Sequence, residues 1–100
     1  MSQPVKINIP HQQLDEFCQR NHITKLALFG SVLREDFKAE SDIDVLVEFE
    51  PEQIPGLAFF EMEAELSQIL GRKVDLNTLG FLSPRIRETV QQEAVVQYVK

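Results

Sequence analysis

Residues 42–49, Asp-Ile-Asp-Val-Leu-Val-Glu-Phe, constrain this chain more than any other stretch. Apolar Ile43, Val45, Val47 and Phe49 alternate with Asp42, Asp44, Leu46 and Glu48. That alternation predicts a β-strand with one face in a core. It also sends Asp42 and Asp44 to the same side of the strand. Aspartate is disfavoured in strands. Two neighbouring carboxylates repel, which pushes one toward protonation. A divalent cation removes that repulsion. Hard cations such as Mg²⁺ take oxygen ligands, shared between one or two carboxylates and a substrate's phosphates. The strand therefore points to a metal-dependent site for a nucleoside triphosphate.

With 100 residues the chain is expected to form a single domain, 1–100. Its net charge of -6 argues against a protein that coats nucleic acid, which needs a basic face. One nucleotide remains acceptable, because Mg²⁺ brings the positive charge, and an acidic surface suits a basic partner. Cys18 is the sole cysteine, so no intramolecular disulfide forms. It lies on an apolar helical stripe with Leu14 and Phe17 and reads as a small buried hydrophobe. The polar start, Met1-Ser2-Gln3-Pro4, lacks the apolar core of a signal peptide, and no apolar run approaches a membrane span. The expectation is a cytoplasmic protein with no membrane contact.

Along the chain, residues 1–9 read as an extended lead-in and 10–22 as a helix opened by Pro10. A strand is expected over 23–29, ended by Gly30. One or two helical turns follow over 31–36, then a polar loop over 37–41 and the strand at 42–49. Pro51, Pro55 and Gly56 break the chain. A helix over 57–70 turns Phe59, Met62, Leu66, Ile69 and Leu70 inward and ends at Gly71. A short strand over 73–77, a helix over 84–93 with Ser83 as its cap, and a last edge strand over 95–99 complete the order. The expected fold is α/β (α+β), a small sheet with helices mainly on one face.

Several residues are candidates for the site. Gly30 allows close backbone approach to a ligand. Ser31 would open a short helix whose free N–H groups favour phosphate. Arg34, one turn on, is placed to meet a phosphate or the acceptor. Asp36 would orient Arg34, and Ser41 would cap the turn or hold an aspartate. Asp75, flanked by Val74 and Leu76, is the candidate third carboxylate. Beside the 42–49 strand it would complete a site for two Mg²⁺ and suit a general base. Arg72, Lys73, Arg85 and Arg87 read as solvated charge. His11 and His22 receive no catalytic role.

Gly30-Ser31-x-x-Arg34-x-Asp36, four residues, then Ser41-Asp42-Ile43-Asp44 and a β-run resembles the nucleotidyltransferase superfamily of the DNA polymerase β type. The small size and the ending Ser83-Pro84-Arg85-Ile86-Arg87 to Tyr98 resemble its minimal members, the MNT domains. Glu35 stands where family members often carry glycine. The resemblance implies a palm-like mixed sheet, Mg²⁺ on Asp42, Asp44 and Asp75, and the triphosphate of ATP on Gly30 and Ser31. It implies transfer of AMP to a tyrosine hydroxyl of a helical HEPN toxin, with this chain as antitoxin and a hetero-oligomer with that toxin. The competing readings are a toxin-binding module without catalysis and a small-molecule nucleotidyltransferase. The chain lacks room for the domains that grip a primer, so templated polymerisation is not expected.

Overall fold

The computed structural model describes residues 7–33, 41–53 and 55–100. The described residues form a four-stranded sheet with three α-helices and two short 3-10 turns. Helix α1 (His11–Arg20) leads into β1 (Ile23–Phe29) and a 3-10 turn at Gly30–Leu33. Then come β2 (Ile43–Phe49), α2 (Ala58–Leu70), β3 (Val74–Asn77), a 3-10 turn at Leu79–Phe81, α3 (Pro84–Glu93) and β4 (Val95–Val99). The sheet order is β3-β2-β1-β4. Strand β1 is antiparallel to both β2 and β4, whereas β2 and β3 run parallel. The sheet is thus mixed, as expected.

The alternation in β2 does what its sequence dictates. Ile43, Val45 and Val47 are fully buried, opposite Leu28 and Leu26 of β1 and beside Val74 and Leu76 of β3. Leu14, Phe17 and Cys18 of α1 and Met62, Leu66 and Leu70 of α2 cover this face and close the core. One irregularity makes the fit possible. The register of β1 on β2 shifts between Ile23 and Lys25. In an unbroken strand Ile23 and Leu26, an odd number of residues apart, would face opposite sides. The bulge lets both enter the core, and Thr24 Oγ1 donates to the Glu48 carbonyl at 3.2 Å.

Helix ends follow local chemistry, with two departures from expectation. Helix α1 is shorter than the 10–22 predicted, because His22 takes a left-handed φ of 59° that cannot continue a helix. Ser83 supplies its carbonyl to Arg87 N–H at 2.9 Å but its side chain makes no capping bond. Gly71 ends α2 in the left-handed region, φ 72°, as its position suggests. The opposite sheet face is not uniformly wet. Ala27 and Leu46, partners in register, are buried there beside the polar residues of β2. No described helix is long and apolar enough to cross a membrane. Residues 1–6 of the lead-in expected over 1–9, and residues 37–40 of the loop expected over 37–41, lie outside the described residues.

Candidate active site

The parallel pairing of β2 with β3 assembles the acidic residues. Asp44 stands in register with Asp75, one step along from Ile43 with Val74. Because Ile43, Val45, Val74 and Leu76 face the core, Asp44 and Asp75 both face away from it. On the other flank, Phe29 of β1 pairs with Asp44. One row across three strands therefore reads Phe29, Asp44, Asp75. The next row toward the start of β2 holds Asp42 and Lys73, where the Lys73 carbonyl accepts the Ile43 N–H at 2.9 Å.

Like charges directly opposite on neighbouring strands destabilise a sheet. Asp44 and Asp75 occupy such positions, with Asp42 on the same side. Lys73 partly answers the charge: its Nζ lies 3.9 Å from Asp42 Oδ2. Both side chains are well exposed, so this contact is weak. Among the described residues no three His, Cys, Asp or Glu side chains are already closed into a metal cage. Mg²⁺ does not require one. It characteristically uses one or two carboxylates and completes its shell with water and substrate phosphate. A hard-oxygen donor set in a repulsive row fits such an ion, which Asp42 and Asp44 could hold with Asp75 adjacent.

Gly30 closes the row from the side of β1. Its φ is +75°, which residues with a side chain rarely adopt. A Cβ placed there would meet the Asp44 carboxylate, running into Oδ2 and coming within 3.2 Å of Cγ. The missing side chain is thus what lets Asp44 lie against the turn. Gly30–Leu33 forms a 3-10 turn, the described part of the one or two helical turns expected over 31–36, and Val32 within it is fully buried. Ser31 belongs to this turn. Ser41, partly buried, immediately precedes Asp42. Arg34, Glu35 and Asp36 lie outside the described residues.

Two features escape sequence reasoning. A cleft of about 390 Å³ opens beyond the edge of β3, lined by Phe49, Pro55, Phe59, Phe60, Asp75 and Asn77 among others. Glu63, on the same cleft, accepts the Leu76 N–H at 2.9 Å. The helical period placed neither, since the cleft joins segments far apart in the chain. Arg87 is no loose surface charge: its guanidinium donates to the Leu82 carbonyl at 3.1 Å and braces the start of α3.

The nucleotidyltransferase domain family matches residues 11–96. Protein adenylyltransferase MntA of Thermococcus cleftensis is 40% identical over 81 residues, covering 80% of each chain. Among solved structures, a toxin-antitoxin with AMP-PNP superposes with a TM-score of 0.74 at 21% identity, over 92% of this chain and 75% of that one. A Shewanella oneidensis complex of a tri-AMPylated HEPN toxin with an MNT antitoxin gives 0.65 at 22% identity, covering 90% and 70%. At such identities the superpositions establish the fold.

Proposed function

The chain belongs to the nucleotidyltransferase family, and from that premise we propose that it transfers AMP from ATP to a tyrosine hydroxyl of a HEPN toxin, silencing it as antitoxin. The observation that carries the reading is the register of Asp44 with Asp75, with Asp42 on the same face and Gly30 beneath Asp44. Support also comes from the relative named a protein adenylyltransferase and from the fold shared with toxin–antitoxin complexes.

In this reading Asp42, Asp44 and Asp75 would hold two Mg²⁺, which would supply positive charge to offset the phosphates and polarise the reacting phosphoryl group. The turn at Gly30 and Ser31 receives the triphosphate through backbone N–H groups, and Arg34 and Ser41 contribute to nucleotide binding. Asp75, exposed at the sheet edge, accepts the proton of the incoming hydroxyl. A bond forms between that oxygen and the α-phosphorus, the bond from the α-phosphorus to the bridging oxygen breaks, and pyrophosphate leaves. The work takes place in the cytoplasm, in a hetero-oligomer with the toxin.

Intact-mass spectrometry of the toxin after incubation with this chain, ATP and Mg²⁺ tests the proposal. Whole AMP additions are expected with the unmodified chain and none with Asp42→Asn/Asp44→Asn. AMP transfer surviving in the double variant would sink the assignment of the metal ligands. Toxicity suppressed without any mass change would instead identify a binding module.

A further inference from the structure

The cleft beyond β3 does not belong to the nucleotide end of the row. Across the sheet the order is Gly30 at the end of β1, Asp44 on β2 and Asp75 on β3, and Asp75 also lines the cleft, together with Phe49, Phe59, Phe60 and Glu63. An in-line displacement places the attacking and leaving oxygens on opposite sides of the reacting phosphorus. With the triphosphate on the Gly30 turn, the attacking hydroxyl arrives from the Asp75 side, where the cleft lies. Resting on the adenylyl-transfer reading above, we propose that this cleft seats a polypeptide segment of the acceptor protein in which the reacting tyrosine is flanked by basic residues.

Three observations select that occupant. The cleft walls are aromatic: Phe49 and Phe59 meet edge to face at 6.5 Å, and Phe59 and Phe60 at 6.4 Å. Its lip carries one large exposed apolar side chain, Phe60 at 67%. A free nucleotide leaves such a lip in water, whereas a docked polypeptide buries it. The third observation is charge. The cleft lining includes Glu63 and Asp75 and, among the described residues, no lysine or arginine. Glu52 and Glu61 are exposed and have no ion-pair partner among the described residues. That field repels a second anion and attracts a cationic segment.

Amide chemical-shift mapping on the ¹⁵N-labelled full chain tests this without requiring turnover. The probe is a synthetic peptide with one tyrosine between arginines; its counterpart carries glutamates instead. The arginine peptide is expected to shift Phe60, Asn77 and Thr78, and Phe60→Ala to weaken it about tenfold. The glutamate peptide is expected to leave these amides unmoved. No shift with the arginine peptide at millimolar concentration, equal binding of both peptides, or an equal response to adenosine alone would overturn the proposal. A parallel titration of the unmodified chain with Mg²⁺ and ATP reads Gly30 and Val32. Silence there would count against the adenylyl-transfer reading, separately from the cleft.

Discussion

Gly30 and Cys18 show how single residues act here through what surrounds them. Gly30 combines a left-handed backbone with a carboxylate where its side chain would be. Gly30→Ala is expected to cost about 1–2 kcal/mol in urea unfolding through backbone strain. It also has to displace Asp44, so AMP transfer should fall further than stability predicts, by about tenfold or more. Cys18 is fully buried, and burial, aided by the nearby Asp15 charge, pushes its thiol up to about 12 from an ordinary 9.0. A raised acid pKa means the folded state keeps a proton that the unfolded state loses. The thiol is then neutral in both states below pH 9, and stability falls as pH rises from about 9 toward 12. Denaturant titrations across that window should show the decline for the native chain and lose this component in Cys18→Ala. Native Cys18 should also resist iodoacetamide at neutral pH until the chain unfolds.

At the scale of elements, α2 does two jobs. Its buried stripe of Met62, Leu66 and Leu70 fills the core, so Leu66→Ala should cost about 2–5 kcal/mol. Its polar side chains secure the outer edge of β3, which has no strand beyond it among the described residues. Ser67 Oγ accepts the Val74 N–H at 3.0 Å, and Glu63 accepts the Leu76 N–H at 2.9 Å. An edge so covered does not invite strand addition. Ser67→Ala leaves the buried Val74 donor without that acceptor, and thermal unfolding should report a loss of about 1–3 kcal/mol. Because β3 carries Asp75, the same variant should lower the rate of AMP transfer more than it weakens ATP binding.

For the whole molecule, charge is the governing quantity. A chain of net charge -6 and a nucleoside triphosphate repel each other, and the acidic row adds to that repulsion. Calorimetric titration with ATP should show binding in Mg²⁺ and binding weaker by about tenfold or more in EDTA. Equal affinity in both would remove the metal from nucleotide capture. Other charges tie the fold together at its margins. Arg20 grips Glu65 through two hydrogen bonds, of 3.1 and 2.7 Å, joining α1 to α2. Lys100 Nζ donates to Glu50 at 2.7 Å and, with His22 nearby, holds that carboxyl below its usual range. Its contribution exists above the ordinary carboxylate pKa and disappears as pH falls through the lowered value.

What the sequence determines by itself is local. The period of two in residues 42–49 places Asp42 and Asp44 on one face whatever the strand packs against, because side chains alternate along any extended backbone. Gly71 after an amphipathic run ends α2 through its own backbone freedom, and Cys18 is buried because its stripe is apolar. The matching of Asp75 to Asp44 is of another kind. It depends on β3 lying parallel to β2 in one register, fixed by burial of Val74 and Leu76 beneath α2 and by the Ser67 and Glu63 bonds. A register shifted by one residue would turn Asp75 into the core. The bulge that admits both Ile23 and Leu26, the Gly30 backbone against Asp44, and the aromatic cleft beside Asp75 are likewise products of tertiary packing. Each joins segments distant in the chain, and only the energy of filling one common core selects among the pairings that local patterns allow.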